Sequence, residues 1–446
     1  MRAFDSFLNL GKDFMLPKGI YKLLYFFMTG GVFPKYSTRF YYRQVREERM
    51  LRFRGKARWA LLVCLIMVFS IVAGCGGNSS TSDKAKDQDV IKLGFLGATT
   101  GSVANYGIPG QKGMKMAIEE VNNSGGVLGK KLEGVYLDNK GDSSEIALIT
   151  DKYINRDKVV ALVGDPCTGL TKIAAKIAQE NKVVIFSAGA TGNGVVEIGD
   201  YVFRNTLLDK FAVPSVVDWM VNTKGWKNIA VITSLNNDYS VSLTPVFKDA
   251  IDKQGGKIVI EESINDEETD FTAQITNIKK AKPDVLVFTG YYREAALLMN
   301  EAKKQGLDIN LIGGDGLYGQ DLAKLGGKAV EEKVIFYCGF SFSGDESNPV
   351  TERFLADYKA KFNEEPDMFS AQYYDAIMIL AKAMKDANST DPSVYKNELA
   401  KLKDYPGVSG NTTFRADREP IKSPICLITV KDGKLTLLDK IPLNIE

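Results

Sequence analysis

The sequence of 446 residues contains no histidine. Ser-His-Asp and Cys-His catalysis, histidine-ligated zinc and imidazole acid–base chemistry are therefore excluded, because each needs an imidazole ring. A G-x-S-x-G nucleophile motif and a phosphate-binding P-loop are also missing from the sequence. We therefore expect a protein that is not an enzyme and that holds neither a cofactor nor a metal ion.

Cysteine is scarce, and neither sign of charge dominates. The five cysteines form no C-x-x-C pair, so neither a zinc site nor a disulfide framework is indicated. A single disulfide between two of Cys167, Cys338 and Cys426 stays open as an alternative. The 57 Lys and Arg residues against 55 Asp and Glu give a net charge of +2, so no nucleic-acid partner is expected.

An apolar run near the N-terminus is too short for a membrane span. Trp59–Ile71 is apolar apart from Ser70, whereas a spanning helix needs ~20 apolar residues. Basic residues at 52–58 precede this run, and Val72-Ala73-Gly74-Cys75 follows it. This order is typical of a signal peptide, and the last four residues resemble the lipobox of a bacterial lipoprotein. A membrane anchor that stays uncut is the alternative.

The lipobox predicts how the N-terminal region is processed. We expect a signal peptide at 50–74, lipidation of Cys75 and a flexible polar tether at 75–89. Met50 stands directly before the basic residues, so we expect translation to start there and residues 1–49 to be a misassigned extension. The mature protein is then extracytoplasmic and lipid-anchored to a bacterial membrane.

From Val90 onward, short apolar runs alternate with segments of helical periodicity. Ile91–Leu96 is typical of a strand, and Gly113–Val121 has the apolar spacing of a helix. Repeated βα units predict a parallel sheet covered by helices, and the rhythm restarts near 204–206. The predicted fold class is α/β, with two doubly wound parallel-sheet lobes joined by a hinge. The expected lobes are 90–208 plus 338–410 and 209–337 plus 411–446.

Loops that follow strands of the first lobe are rich in glycine and hydroxyl side chains. They span 97–107, 164–169 and 187–191. Glycine lets backbone N–H groups approach a ligand closely, and N–H groups at helix N-termini bind anions. One such loop is ordinary turn chemistry, but three at the same edge of a sheet indicate a ligand site.

The second lobe presents similar loops at 237–239, 289–292 and 313–316. Asp315 lies between two glycines directly after a predicted strand, so it could offer a carboxylate to an ammonium group. The alternative is an ordinary turn aspartate.

Four motifs, taken in order, carry a resemblance to a known family. They are Gly-x-x-Cys-[Ser/Thr]-x-x-Thr at 164–171, Ser-x-[Gly/Ala]-Ala-Thr at 187–191, Gly-Tyr-Tyr-x-Glu at 290–294 and Gly-x-[Glu/Asp]-Gly at 313–316. The chain from Val90 onward resembles the leucine/isoleucine/valine-binding proteins of branched-chain amino-acid ABC importers. The resemblance implies a type I periplasmic-binding clamshell. It also implies a monomer that captures an amino acid and delivers it to an ABC permease with ATPase subunits.

The resemblance also implies how the ligand carboxylate is held. Thr168 would bind it through its backbone N–H and hydroxyl. The backbone of Gly189 and the backbone and hydroxyl of Thr191 would bind the α-carboxylate and the α-ammonium group. Tyr291 would donate its hydroxyl to the carboxylate from the opposite lobe.

The remaining implied contacts concern the ammonium group and the side chain. Asp315 would pair with the ammonium, and Tyr106 and Tyr239 would form walls of the side-chain pocket. Tyr106 stands where close members often carry Trp, and Asp315 is shorter than their Glu. Gly141 replaces a cysteine that pairs, in some members, with the one matching Cys167, so Cys167 is expected to be a free thiol.

Two alternatives remain at this point. The same fold could bind an amide, a urea or an aromatic acid instead of an amino acid. A secreted hydrolase that works through paired carboxylates would belong to another class of protein.

Overall fold

A computed structural model describes residues 90–342 and 348–444. The predicted extension, signal peptide, lipidated Cys75 and tether all fall within 1–89 and lie outside the described residues. Within the described part of the chain, no helix combines the length and apolarity needed to cross a bilayer.

The first sheet is parallel and has the strand order β2-β1-β3-β4-β5. Its strands are β1 (Val90–Phe95), β2 (Lys131–Tyr136), β3 (Ala161–Val163), β4 (Val184–Ser187) and β5 (Val202–Arg204). The helices between them are α1 (Ala104–Asn123), α2 (Ser143–Lys152) and α3 (Thr168–Glu180). Every residue of β3 and β4 is buried, as expected for strands covered by helices on both faces.

The second sheet repeats this order with its own strands. The parallel part runs β7-β6-β8-β9-β10. These strands are β6 (Asn228–Ser234), β7 (Lys257–Ile264), β8 (Val285–Phe288), β9 (Asn310–Gly313) and β10 (Val334–Cys338). The accompanying helices are α4 (Asp209–Asp218), α5 (Asp238–Lys253), α6 (Thr272–Ala281), α7 (Tyr292–Lys304) and α8 (Asp321–Gly326).

The C-terminal part of the chain contributes to both lobes. Its elements are α9 (Pro349–Phe362), α10 (Met368–Asp386), α11 (Pro392–Leu399), β11 (Tyr405–Gly407), β12 (Gly410–Phe414), β13 (Pro420–Ile421), β14 (Ile425–Lys431) and β15 (Lys434–Ile441). Residues of α9, α10 and α11 share a core with Phe95 and Phe186 of the first sheet. Strands β14 and β15 extend the second sheet in antiparallel fashion.

A small sheet of β11, β12 and β13 lies before this final hairpin. Phe414 on β12 packs 6.2 Å from Phe186 and 5.8 Å from Phe203, measured between ring centroids. The small sheet therefore packs against the first lobe. The chain joins the second sheet at Ile425, fourteen residues after the expected boundary at 411.

Both sheets have the strand order of a doubly wound fold, and the predicted fold class is confirmed. In such sheets the strand order reverses between the first and third strands, and ligands bind beyond the carboxyl ends of those strands. The two reversal points lie between β1 and β3 and between β6 and β8. The loops that follow these strands, together with those after β4 and β9, form the candidate site.

Candidate ligand-binding site

A cavity lies between the two lobes at the carboxyl ends of their strands. Nine residues line it, and the space left between them is about 10 Å³, about the room for one water molecule. The lobes therefore leave almost no free space in the site. Six of the seven predicted site residues are among those that line it, which are Tyr106, Pro166, Gly189, Thr191, Tyr239, Tyr291, Asp315, Gly316 and Phe369.

The first lobe contributes backbone groups to the cavity, in addition to the rings of Tyr106 and Phe369. Gly189 has a φ of 144°, and a Cβ there would come within 2.9 Å of the Pro166 Cα. Thr191 is buried, and its hydroxyl donates a hydrogen bond to Asp315 across the cleft. Among the residues that the structure describes, none accepts a hydrogen bond from the Thr191 N–H. This wall therefore has a free backbone donor.

The seventh predicted residue, Thr168, lies behind this wall rather than in it. Its hydroxyl oxygen accepts a hydrogen bond of 3.1 Å from the Gly192 N–H. Thr168 is also the first residue of α3, so its own N–H has no partner within the helix. The hydroxyl therefore supports the 189–192 loop, while the backbone N–H stays compatible with an anion.

The second lobe contributes a buried carboxylate. Asp315 Oδ1 accepts hydrogen bonds from the Thr191 hydroxyl at 3.0 Å and from the Tyr239 hydroxyl at 3.2 Å. Within the described residues, no Lys or Arg forms an ion pair with Asp315. Burial, together with the charge of Asp209, raises the pKa of the Asp315 carboxyl well above its ordinary value. The site thus holds a carboxylate without a cation.

Asp209 is a second buried carboxyl group close to the site. It accepts a 2.7 Å hydrogen bond from the Tyr337 hydroxyl, and its backbone N–H donates to the Thr191 carbonyl. Its Oδ2 atom is buried and has no partner in the described part of the chain. Burial raises the pKa of Asp209 to about 6, against the effect of the Tyr337 hydrogen bond.

Four aromatic rings surround the carboxylate. The Tyr239 and Tyr291 rings stack with centroids 5.8 Å apart, and Tyr106 meets Tyr291 edge-on at 5.6 Å. Phe369 lies 4.9 Å from the Tyr106 ring. Such pairs contribute ~0.5–1.5 kcal/mol each beyond the area they bury. The rings form an apolar wall of the cavity, to which the first lobe contributes Tyr106 and Phe369 and the second lobe contributes Tyr239 and Tyr291.

Local sequence explains how Tyr239 is placed. Asn237 caps α5, and its side-chain oxygen accepts hydrogen bonds from the Tyr239 and Ser240 N–H groups. The Tyr239 hydroxyl then reaches the glycine-rich turn after β9. A Cβ on Gly314 would lie 2.3 Å from that hydroxyl, and one on Gly316 would lie 2.8 Å from the Tyr239 ring. Glycine is therefore required on both sides of Asp315.

Sequence reasoning missed Pro166, Gly316 and Phe369. Pro166 and Gly316 lie inside the loops predicted at 164–169 and 313–316, but they are not among the residues predicted to bind the ligand. Phe369 is different, because it begins α10 more than 160 residues after the first-lobe loops. The Asp367–Ser370 capping box marks the start of this helix, but no sequence pattern says that the helix end faces the cleft.

Cys167 also borders the candidate site and is a buried free thiol, as predicted. Cys338 and Cys426 are free and buried as well, so the alternative of a single disulfide is not what the structure shows. Cys338 and Cys426 face one another across β10 and β14. Gly141, at the position of the missing cysteine, has a φ of 75° that suits glycine.

Hydrogen bonds join the two lobes at the rim of the cavity. The Tyr106 hydroxyl donates to the Gly316 carbonyl at 2.5 Å. Further out, the Tyr292 hydroxyl donates to the Ser102 carbonyl at 2.8 Å and accepts from the Asn105 amide at 2.9 Å. These bonds close the cleft over the carboxylate.

Comparison with known proteins identifies the fold and the family. A family model described as "Periplasmic binding protein" matches residues 90–434. The chain belongs to this family. The match runs from the start of β1 to the start of β15 and includes all seven predicted site residues.

Individual members of the family agree with this assignment. A leucine-, isoleucine-, valine-, threonine- and alanine-binding protein of Pseudomonas aeruginosa is 29% identical over 73% of this chain and 86% of its own length. The solved branched-chain amino acid transporter substrate-binding protein of Streptococcus pneumoniae, in complex with isoleucine, is 33% identical, with a TM-score of 0.73 over 79% of this chain and 99% of its own. A leucine-binding protein of Thermotoga maritima is 29% identical, with a TM-score of 0.75 over the same shares.

Proposed function

We propose that this protein is the extracytoplasmic substrate-binding component of an ABC importer and captures a branched-chain or other aliphatic amino acid between its lobes. The observation that carries the proposal is the buried Asp315 carboxylate in the cleft. It lies beside free backbone donors and an aromatic wall. The names of the relatives support the same class of ligand.

Asp315 is proposed to bind the ligand ammonium group. A buried charge needs a charged partner or several hydrogen bonds to offset its desolvation. Asp315 has two hydroxyl donors but no cation among the described residues. An amino acid supplies that cation, whereas a neutral amide, a urea or an aromatic acid does not.

The backbone of the first lobe is proposed to bind the ligand carboxylate. The N–H groups of Thr168 and Thr191 have no acceptor among the described residues, and the Thr168 group lies at the N-terminus of a 13-residue helix. Such a terminus favours negative charge. Tyr291 is proposed to add its hydroxyl from the second lobe, and Gly189 to let the ligand approach the backbone.

The aromatic residues are proposed to enclose the ligand side chain. Tyr106, Tyr239 and Phe369 turn their aromatic rings toward the cavity. Among the residues that line it, Asp315 is the one that carries a carboxyl group. An aliphatic side chain can bury its surface there without leaving a polar group unpaired.

Ligand capture is proposed to work by stabilising the closed arrangement of the lobes. A ligand shifts such an equilibrium only if it binds the closed form better than the open form. Here the ammonium partner comes from one lobe and the carboxylate donors come mainly from the other, so only the closed form offers both. A permease with ATPase subunits would then accept the closed form, and lipidation of Cys75 would keep the protein near it.

A thermal-shift screen against the twenty amino acids tests the proposal. At a ligand concentration 100-fold above Kd, one site stabilises the folded protein by ~2.7 kcal/mol, which raises Tm by several degrees. We expect shifts with leucine, isoleucine or valine and none with urea, acetamide or benzoate. A flat response to all amino acids, or conversion of any of them to a product, would contradict the proposal.

A further inference from the structure

Arg204, the last residue of β5, is fully buried although it carries a positive charge. Its guanidinium forms a two-pronged ion pair with Glu419. Nε donates to Oε2 at 2.7 Å, and Nη2 donates to Oε1 at 2.6 Å. Glu419 comes from the segment between β12 and β13, so the pair ties the small sheet to the first sheet. Arg204 itself does not line the cavity.

The third nitrogen of Arg204 reaches the loop that carries Thr191. Nη1 donates to the Ala190 carbonyl at 2.8 Å and to the Gly192 carbonyl at 2.9 Å. These two carbonyls flank Thr191 on either side. A single buried guanidinium therefore fixes the peptide groups around the residue that faces the ligand.

Peptide geometry connects these bonds to the cavity. In a planar trans peptide, the C=O of one residue and the N–H of the next lie on opposite sides. Because the Ala190 carbonyl is held by Arg204, the Thr191 N–H is held on the opposite side of the loop. This is the N–H group that finds no acceptor in the described part of the chain, and Thr191 lines the cavity.

We propose that Arg204 is a positioning residue for the ligand site. It holds the 189–192 loop so that the Thr191 N–H remains available to an anionic group of the ligand, and Glu419 holds Arg204 in turn. The proposal rests on the proposed function for the identity of that anionic group, an amino-acid carboxylate. The hold on the loop itself rests on the four bonds of the guanidinium.

Lysine cannot reproduce this arrangement. A guanidinium offers five N–H donors in a rigid plane, whereas an ammonium group has one nitrogen on a flexible stem. The four bonds of Arg204 start from three different nitrogens. Arg204→Lys therefore keeps the charge but can hold the Glu419 carboxylate or the two carbonyls, not both.

Arg418 provides a matched control. Its Nη2 donates to the Val196 and Gly199 carbonyls, each at 3.0 Å, so it also holds two carbonyls of a first-lobe turn. That turn does not line the cavity. Arg418→Lys removes the same kind of contact from the same lobe without touching the ligand loop.

The experiment compares Arg204→Lys with Arg418→Lys in two assays. Amide hydrogen exchange, measured without ligand, reports the hold on residues 189–192. Calorimetric titration with isoleucine reports the affinity. We expect Arg204→Lys to speed exchange at 189–192 and to weaken binding by about tenfold or more. We expect Arg418→Lys to leave both within about twofold of wild type.

Unchanged exchange at 189–192 in folded Arg204→Lys would overturn the proposal, and so would an equal loss of affinity in Arg418→Lys. If wild-type protein binds no amino acid, the proposed function fails, yet the exchange result still decides the role of Arg204. If Arg204→Lys does not fold, Glu419→Gln is used instead. This change removes the charge of the carboxylate that holds Arg204 and leaves the arginine itself in place. Faster exchange in Glu419→Gln supports the proposal, and unchanged exchange overturns it.

Discussion

The two lobes share one strand order but place opposite chemistry in the cleft. The first lobe offers backbone N–H groups and small residues after β3 and β4, together with the rings of Tyr106 and Phe369. The second offers the Asp315 carboxylate and the rings of Tyr239 and Tyr291 after β6, β8 and β9. A doubly wound sheet therefore fixes where a ligand binds, while the loops decide what it binds.

This difference predicts that the lobes respond differently to substitution. Backbone donors survive most side-chain changes, so the donors of the first lobe are sensitive only where the loop conformation depends on a residue, as at Gly189 or Arg204. The second lobe acts through side chains, so its role in recognition is lost when a single charge is removed. The following changes test that contrast, from the largest expected effect to the smallest.

Asp315→Asn should have the largest effect on binding. The amide keeps the shape of the side chain but cannot balance an ammonium group, and losing one partner of a buried charge pair costs ~2–5 kcal/mol. We expect amino-acid affinity to fall more than tenfold in a calorimetric titration. Because burial and Asp209 both disfavour the ionised carboxylate, the Tm of the ligand-free variant should be unchanged or higher.

Asp209→Asn is the matched comparison, since it also removes one buried carboxylate close to Thr191. Asp209 does not line the cavity, so we expect a smaller loss of affinity than in Asp315→Asn. An equal or larger loss would mean that the ammonium group is not bound by Asp315.

Gly189→Ala should disturb the first lobe through its backbone. The φ of 144° is unfavourable for alanine, and the new Cβ would press on Pro166 and Phe369. Such strain costs ~1–3 kcal/mol, so we expect a lower Tm and an affinity loss of about tenfold. Gly194→Ala is the control, because its φ of 77° is also positive but its Cβ meets only the end of the Lys172 side chain. An equally large loss of affinity in Gly194→Ala would show that backbone strain anywhere in this lobe weakens binding, and would contradict a specific role for Gly189.

The pH dependence should separate the carboxylate from the backbone donors. Ammonium binding needs ionised Asp315, whose pKa is raised by burial and by the charge of Asp209. Protonation therefore competes with the ligand, and affinity should fall as the pH decreases, by up to about tenfold per pH unit where one proton is released. With no histidine in the chain, no imidazole complicates a comparison between about pH 5.5 and about pH 7.5.

Ligand-free stability should change with pH in the opposite direction. Burial raises the pKa of Asp165 and of Asp209 to about 6, and that of Asp367 to about 7, from an ordinary 3.8. The folded protein then binds more protons than the unfolded chain between about pH 4 and pH 7, so stability should decrease as the pH rises through this window. Denaturant titrations at several pH values check this, and a stability that rises through the window would contradict it.

Asp238→Asn should have the smallest effect. Asp238 on α5 forms a 2.7 Å ion pair with Lys172 on α3 and so joins the lobes outside the cavity. Because Asp238 is about half exposed, the pair contributes ~0–1 kcal/mol and is screened by salt. We expect affinity to change less than about threefold at low ionic strength and not at all at high salt. A large loss of affinity that does not depend on salt would mean that contacts at the rim, rather than those in the cavity, dominate ligand binding.

The strands, the repeated lobes and the loops at the strand ends could be predicted from local sequence patterns. The strand predicted at Ile91–Leu96 is β1, and the lobes repeat as expected because buried apolar runs alternate with helical periodicity. Asp315, Tyr239 and Tyr291 were found because each follows a strand end, where a doubly wound sheet presents its ligands. These are consequences of chain order and hydrophobic pattern.

Features that depend on distant contacts were not predictable in this way. Phe369 and Glu419 reach the site region from the C-terminal part of the chain, and no periodicity shows where those segments pack. The chain rejoins the second sheet only at Ile425, because Phe414 and the small sheet around it pack against the first-lobe core. The hydrogen bond from the Gly192 N–H to the Thr168 hydroxyl joins residues 24 positions apart, and no local pattern predicts it.

The central claim is that the ammonium group of an amino acid pairs with Asp315, and one calorimetric comparison tests it most directly. Isoleucine and its 2-hydroxy acid analogue are titrated into wild type and into Asp315→Asn. The account predicts that wild type prefers isoleucine by more than about tenfold and that the variant discriminates by less than about threefold. Equal binding of both ligands by wild type, or an undiminished preference in the variant, would contradict it.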